Sequence, residues 1–219
     1  MKTNSKKVIG FLKELFFPTA TCYLCGSELD GTGECLCESC ESGLKKIPDN
    51  ERKYKGLTVY SYAYYDELSK EIVLQCKDNN KSYFAEIEAR YIKKVIDNKN
   101  IDFDAIVYVP ASSANVKRRG YDHMKEIAKI LSEKTGKPIA ENLDRNKENI
   151  DQTEVRENER LNNVLKSFRA CGDLYEKRVL LIDDVVTTGA TLIACEKALA
   201  EIEPKEIIPV TFVAARPKR

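Results

Sequence analysis

Residues 179–191, "VLLIDDVVTTGAT", decide the fold of this chain. Four apolar residues lead directly into two adjacent carboxylates, Asp183 and Asp184, and then into threonines and a glycine. A short continuous apolar run is typical of a parallel strand that is buried on both faces. We therefore predict a buried strand over residues 179–182, a turn that begins with the two aspartates, and a helix from Ala190.

The turn has the composition of an anion-binding site. A helix N-terminus presents unpaired backbone N–H groups and the positive end of the helix dipole, so it binds phosphate readily. A glycine lets the backbone approach a ligand closely, and threonine hydroxyl groups add donors. The predicted phosphate-binding residues are Thr187, Thr188, Gly189, Ala190 and Thr191.

Two carboxylates beside a phosphate site indicate a sugar between them. Carboxylates accept hydrogen bonds from a vicinal diol, while the phosphate at the other end of the sugar reaches the helix. We therefore predict a ribose 5-phosphate ligand whose diol is held by Asp183 and Asp184. Neither G-x-x-x-x-G-K-[ST] nor G-x-G-x-x-G occurs in the chain, so the common nucleotide-binding classes lose support. The alternative is that the aspartates cap a turn and the threonines cap a helix.

The rest of the chain alternates short apolar runs with amphipathic segments. Strands are predicted in "LTVYSYAYY", "DAIVYVP" and "EIIPVTFVAA", and helices in "DELSKEIVLQCK", "YFAEIEARYIKKVID", residues 121–135 and "ATLIACEKALAEI". This alternation predicts a doubly wound α/β sheet. In such sheets, ligands lie beyond the carboxyl ends of the strands.

Composition excludes several classes of function. The 219 residues include 36 basic and 35 acidic side chains, so no overall charge attracts the chain to nucleic acid or membrane. The N-terminal "MKTNSKKVIGFLKELFF" is interrupted by charge and predicts a short amphipathic helix, not a signal peptide. No stretch approaches the roughly 20 apolar residues of a transmembrane helix. We expect a cytoplasmic protein without membrane insertion.

Five of the eight cysteines lie within nineteen residues. Cys22 with Cys25 and Cys37 with Cys40 form two Cys-x-x-Cys pairs, separated by eleven residues. Two such pairs place four thiolates around Zn²⁺ in a zinc ribbon, and they leave no open position for catalysis, so the predicted Zn²⁺ is structural. Cys35 in place of Cys37 is the alternative ligand.

The cysteine-rich module divides the chain into two predicted domains. Residues 1–45 hold the N-terminal helix and the zinc-binding module, and residues 46–219 hold the α/β domain. The polar stretch "KKIPDNERKYKG" is predicted to link them.

Taken together, these motifs resemble the ComF family, phosphoribosyltransferase-like proteins associated with DNA uptake in competent bacteria. "FFPTATCYLCG" and "LCESC" are similar to the zinc-binding start of that family, and "KRRGYDH" is similar to its segment ending R-G-F-N-Q. "VLLIDDVVTTGATL" matches the motif of type I phosphoribosyltransferases that binds 5-phosphoribosyl 1-pyrophosphate (PRPP). The resemblance implies a type I phosphoribosyltransferase-like parallel sheet flanked by helices, with a small N-terminal zinc ribbon. It also implies PRPP as ligand, with Mg²⁺.

The resemblance adds residues to the predicted site. The loop after Pro110 follows a neighbouring strand, and the corresponding loop of type I phosphoribosyltransferases holds pyrophosphate. We predict that Ser112 and the backbone of this loop donate to the ligand, and that Arg118 and Arg119 supply charge. Lys77 stands where the family tends to have a lysine and is a further candidate. The alternative is a solvated basic helix start.

The polar segment 145–169 is similar to a family stretch with spaced Arg, Gln, Arg, Asn and Phe. We predict a lid over the ligand, consistent with the mobile loop of phosphoribosyltransferases. The residues predicted to contact pyrophosphate or single-stranded nucleic acid are Arg145, Lys147, Gln152 and Arg160. The alternative is a solvated charged helix.

Asp122 and His123 stand where the family usually has Asn-Gln. His123 is the only histidine, and a general-base role is one interpretation. We expect instead that it lies near the start of a helix and interacts with Asp122.

The leading hypothesis is a PRPP-binding, Mg²⁺-dependent phosphoribosyltransferase-like protein of the ComF type, with Asp183 and Asp184 at its catalytic centre. The alternative is a non-catalytic protein, regulated by PRPP, that binds single-stranded DNA or a competence helicase. The zinc module and the basic residues of 117–119 and 145–169 favour the alternative, whereas the neutral net charge and the absence of tryptophan do not.

Overall fold

The computed structural model describes residues 21–29, 35–77, 83–145 and 167–216. The predicted N-terminal helix and three predicted lid residues, Lys147, Gln152 and Arg160, lie outside these ranges. The chain divides into two compact units, Met1–Gly43 and Leu44–Arg219. In the first, Thr21 bridges Glu28, and helix α1 spans Glu38–Gly43.

The second unit is built on a five-stranded sheet in the order β1-β2-β7-β6-β3. These strands are β1 Glu51–Tyr54, β2 Leu57–Tyr64, β3 Ala105–Tyr108, β6 Arg178–Val186 and β7 Glu206–Ala214. The pairs β2–β7, β7–β6 and β6–β3 are parallel, and only β1 is antiparallel to its neighbour. The predicted mostly parallel α/β sheet is confirmed.

Two further strands, β4 Leu143–Arg145 and β5 Phe168–Ala170, pair with each other in a separate sheet. The helices of this unit are α2 Glu67–Lys77, α3 Tyr83–Asn98, α4 Ser113–Arg119, α5 His123–Thr135 and α6 Ala190–Ala200. None of the helices in the described ranges is long and apolar enough to cross a membrane.

Helices pack on both faces of the five-stranded sheet. Alternate residues of each strand point to opposite faces, so each strand contributes side chains to both packing layers. On one face the ring of Tyr91, from α3, lies with its centroid 5.7 Å from that of Phe212 and 4.4 Å from that of Tyr62. On the other face Leu181, from β6, shares a buried cluster with Leu192 of α6. The apolar run of β6 is therefore buried on both sides, as its composition predicts.

Strand β6 extends past its predicted end at Ile182, so the predicted turn at the aspartates is wrong. Asp183 and Val185 pair in register with β7, and the hydrogen-bonded ladder continues through both carboxylates to Val186. Asp183 is 9% exposed and Asp184 is 5% exposed. The carboxylates thus belong to the buried part of the strand, and the turn is reduced to the residues before α6.

The polar stretch predicted as a linker contains β1. Lys55 and Gly56 connect β1 to β2, with φ angles of 50° and 95°. Two consecutive positive φ values are typical of a tight two-residue hairpin turn. Tyr54 and Leu57 therefore face each other directly across the turn.

We expect Leu181→Ala to lower the free energy of unfolding by about 3 kcal/mol, because it empties a fully buried position. Leu181 is 0% exposed, whereas Leu74 on α2 is 43% exposed. Leu74→Ala is the matched control, with an expected change below about 0.5 kcal/mol. Urea unfolding followed by circular dichroism measures both, and equal losses would contradict the burial of β6.

Candidate functional site

A cavity of about 400 Å³ lies at the carboxyl ends of β6 and β3. This is the position at which open parallel sheets bind their ligands. Its charged lining residues are Lys77, Arg119, Arg145, Asp183 and Asp184. Three cations thus face two carboxylates in one cavity, an arrangement suited to a ligand that carries both phosphate and hydroxyl groups.

The cavity brings together predicted site residues from four separate segments of the chain. Those that line it are Lys77, Ser112, Arg119, Arg145, Asp183, Asp184, Thr187 and Thr191. Gly189 and Ala190 line a small adjoining recess formed by the same loop. Thr188 and Arg118 are exposed and line neither space, although the Thr188 hydroxyl accepts a hydrogen bond from the Ala190 amide at 3.4 Å.

Asp184 is the centre of a buried polar network. Lys77 forms an ion pair with its Oδ2 atom, and His123 Nε2 lies 3.0 Å from the same oxygen. Arg119 Nη1 lies 3.3 Å from His123 Nδ1. Because a guanidinium group only donates, Nδ1 must accept, and the ring proton is therefore on Nε2, from which it is donated to Asp184.

His123 is the first residue of α5, as predicted, but its predicted contact with Asp122 is wrong. The Asp122 carboxylate caps α5 instead, and accepts from the Met124 amide at 3.0 Å. Its second oxygen accepts from the Ala111 amide at 3.0 Å. The Ala111 amide, in the loop predicted to supply backbone donors, is therefore already engaged by a side chain.

The two adjacent aspartates have opposite pKa shifts. Burial opposes the ionisation of Asp184, yet the hydrogen bond from His123 and the charge of Lys77 together hold its pKa below the usual range. Burial, followed by the negative charge of Asp184, raises the pKa of Asp183 well above the usual range. Successive strand residues point to opposite faces, so Asp183 faces α6, where its charge adds to burial in raising the pKa of Cys195.

The loop between β6 and α6 leaves backbone donors available. Gly189 is the N-cap of α6, with a φ of 78° and no side chain accepting from the helix. The first backbone hydrogen bond of the helix runs from the Ile193 amide to the Gly189 carbonyl, at 2.9 Å. Within the described ranges the amides of Thr191 and Leu192 have no acceptor. Unpaired N–H groups at the start of a helix are what an anion binds, so these two amides make the N-terminus of α6 a candidate anion site.

Arg145 is the predicted lid residue that the structure places at the cavity. Its Nε donates to the carbonyl of Pro110 at 2.9 Å, and its guanidinium carbon lies 4.9 Å from the ring centroid of Phe168. The side chain is thus held between β5 and the loop after β3.

Tyr65 also lines the cavity and was not predicted. It follows β2, and its amide donates to the Ala214 carbonyl at 2.8 Å. The aromatic run "YSYAYY" indicated a strand that ends in tyrosine, and so a tyrosine near the edge of the sheet. However, the tyrosine that reaches the cavity depends on pairing with a strand about 150 residues away, which local sequence does not encode.

The first unit contains a separate candidate metal centre. The thiol sulfurs of Cys22, Cys25, Cys37 and Cys40 all lie within 4.8 Å of one another, and buried Cys35 is outside this group. Hydrogen bonding, first from Ser27, lowers the pKa of Cys37 to about 6, so its thiolate is accessible near neutral pH. Four clustered thiols are a donor set that fits tetrahedral Zn²⁺.

A family model described as "Phosphoribosyl transferase domain" matches residues 78–219. Among curated proteins, the chain is similar to Competence protein ComFC of Streptococcus pneumoniae (strain ATCC BAA-255 / R6). The identity is 22% over 224 residues, which cover 88% of this chain and 99% of that protein. The predicted resemblance to the ComF family is confirmed.

Solved structures are also similar to this chain. Adenine phosphoribosyltransferase from Thermoanaerobacter pseudethanolicus is 13% identical with a TM-score of 0.41, over 82% of this chain and 99% of that one. UMP synthase from Leishmania donovani is 18% identical with a TM-score of 0.39, over 80% of this chain. The chain spans 30% of the length of that synthase, and 26% of the allosteric regulatory enzyme of purine biosynthesis that it also matches.

We expect Cys37→Ser to abolish stoichiometric zinc binding, because three thiolates and a hydroxyl no longer complete the tetrahedral set. Cys35→Ser is the matched control and retains zinc, since Cys35 lies outside the cluster of sulfurs. Inductively coupled plasma mass spectrometry of the purified proteins measures the zinc content. Loss of zinc from the Cys35 variant, with retention in the Cys37 variant, would reverse the assignment.

We expect Asp183→Asn to raise the free energy of unfolding near pH 8, by on the order of 1 kcal/mol. The raised pKa of Asp183 means that folding favours its protonated form. The ionised form therefore destabilises the native state progressively as pH rises from about 4, the unfolded pKa, through the folded value. Urea unfolding near pH 4 and pH 8 measures the difference, and a gain independent of pH would contradict this reasoning.

Proposed function

Because the chain belongs to the phosphoribosyl transferase domain family, we propose that its cavity binds PRPP together with Mg²⁺. The observation that carries the proposal is the meeting of two buried carboxylates with a helix terminus whose amides lack acceptors. A ribose 5-phosphate spans these two features, with its diol at Asp183 and Asp184 and its phosphate at the amides of Thr191 and Leu192.

The cations of the cavity suit the pyrophosphate group. Lys77, Arg119 and Arg145 line the same space, and Ser112 lies at the start of α4 beside them. Arg145 is held through Nε and through its contact with Phe168, so its terminal nitrogen atoms are available for phosphate oxygen atoms. Mg²⁺, bound with the pyrophosphate near the two aspartates, would supply further neutralisation of the leaving group.

The implied reaction breaks the bond between ribose C1 and a pyrophosphate oxygen, which keeps the electron pair, and forms a bond from C1 to a nucleophilic atom of an acceptor. The chain's own residues bind and orient: carboxylates hold the diol, and fixed cations stabilise the developing negative charge on pyrophosphate. His123 is an orienting residue in this proposal, because one ring nitrogen donates to Asp184 and the other accepts from Arg119. Neither nitrogen has a free lone pair to serve as a base for an acceptor.

We further propose a structural Zn²⁺ in the first unit and a role in DNA uptake during natural transformation. Four protein thiolates leave no open coordination position, which supports a structural metal. The competence role is supported by the designation of the similar Streptococcus pneumoniae protein. A cytoplasmic location suits eight cysteines that are all free thiols. The alternative of single-stranded DNA or helicase binding gains no support from Arg145, which is engaged at the cavity.

We expect calorimetry to detect PRPP binding in the presence of Mg²⁺, and Asp184→Asn to weaken it at least tenfold. The substitution removes the charge around which Lys77 and His123 are arranged. Asp97→Asn, on the exposed side of α3, is the matched control and binds as the wild type does.

Absence of PRPP binding by a folded wild-type protein would rule out the proposed function. Salt-dependent binding of an oligonucleotide that persists in Asp184→Asn would favour the nucleic-acid alternative. Pyrophosphate release, measured with a panel of nucleobases, then determines whether the bound ligand is turned over.

A further inference from the structure

Tyr54, the last residue of β1, is in direct contact with the backbone of the phosphate loop, residues 187–191. A Cβ atom added to Gly189 would lie 2.6 Å from the Tyr54 Cβ and 3.0 Å from its Cγ. The three nearest atoms to such a Cβ all belong to Tyr54. Gly189 also has a φ of 78°, which glycine adopts without steric cost and leaves as easily, so the backbone conformation is not fixed by the residue itself.

The position of Tyr54 is fixed by the hairpin. Tyr54 immediately precedes the two-residue turn and pairs in register with Leu57, which is buried. Its side chain packs against the same buried cluster that contains Val186 and Leu192, the residues flanking the phosphate loop. The Tyr54 side chain thus contacts both the buried cluster and the phosphate loop.

The hydroxyl group of Tyr54 does not explain this placement. Its Oη atom is buried and has no hydrogen-bond partner among the described residues. A buried hydroxyl without a partner destabilises the fold. The atoms of Tyr54 that contact the Gly189 position are instead Cβ and the ring atoms Cγ and Cδ1.

We propose that Tyr54 is a positioning residue for the phosphate loop, because its ring holds the Gly189 backbone so that the amides beyond it point at the ligand phosphate. The inference rests on the proposed function. It goes beyond the family resemblance, since β1 precedes residue 78, where the match to the family model begins. A loop that is already ordered loses less conformational entropy when the ligand binds.

The test compares two ligands and three main variants. Under the proposed function, ribose 5-phosphate depends on the phosphate loop, whereas pyrophosphate with Mg²⁺ depends on the cations Lys77, Arg119 and Arg145. We expect Tyr54→Ala to weaken ribose 5-phosphate about tenfold and to change pyrophosphate affinity less than twofold. Tyr54→Phe retains wild-type affinity for both ligands, because the hydroxyl has no partner.

Tyr60→Ala is the matched control. Tyr60 is also partly buried, lies on the same hairpin and faces a different cavity, at the far end of the sheet.

Hydrogen exchange followed by mass spectrometry adds a readout that general destabilisation does not reproduce. The peptide covering residues 187–192 exchanges faster in Tyr54→Ala and at the wild-type rate in Tyr60→Ala. If Tyr54→Ala does not fold, Tyr54→Leu replaces it, with a smaller change in the same direction.

Equal weakening of both ligands, or of neither, would overturn the positioning role. So would an unchanged exchange rate in the loop of the Tyr54 variant. If the wild type binds neither ligand, the proposed function fails, and the exchange rates still decide whether Tyr54 orders the loop.

Discussion

Burial of two consecutive carboxylates in strand β6 is the constraint on which the rest of the site depends. An ionised carboxylate removed from water must be paired and hydrogen-bonded, or it becomes neutral. Asp184 is paired with side chains from two helices, Lys77 at the end of α2 and His123 at the start of α5. Among the described residues, Asp183 accepts only from the backbone amide of Asp184, and burial raises its pKa. One strand therefore offers a ligand both a fixed negative charge and a group whose charge depends on what binds.

The pairing of Asp184 also organises the loop after β3. Arg119 donates to the ring of His123, and Asp122, the neighbour of His123, accepts from the amide of Ala111. Of the two residues that differ from the ComF pattern, His123 lines the cavity, and Asp122 binds the amide of Ala111, which also lines it. A carboxylate at the N-cap of α5 serves both the helix and the loop, since its two oxygen atoms accept in different directions.

Local patterns were sufficient to predict most helices and the strands of the parallel sheet, because the apolar periodicity of a helix or strand is visible within a short window of consecutive residues. The rule that parallel strands present their carboxyl ends at one edge also placed Ser112 and the aspartates together, whereas Lys77, at the end of a helix, was predicted from the family resemblance alone. The errors share a physical cause. The end of β6 depends on its ladder with β7, and β1 depends on pairing with β2, so neither follows from local composition. The partner of His123 lies 61 residues away, and the nearer Asp122 was the natural expectation.

The close contact between Gly189 and Tyr54 limits how this sequence can diverge. The nearest atom to an added Cβ at position 189 is the Cβ of Tyr54, which every amino acid except glycine possesses. A side chain is therefore excluded from position 189 whatever residue occupies position 54, unless that residue is itself glycine. The positive φ of Gly189 independently favours glycine there. Position 189 is consequently restricted to glycine as long as the hairpin is kept and position 54 carries a side chain.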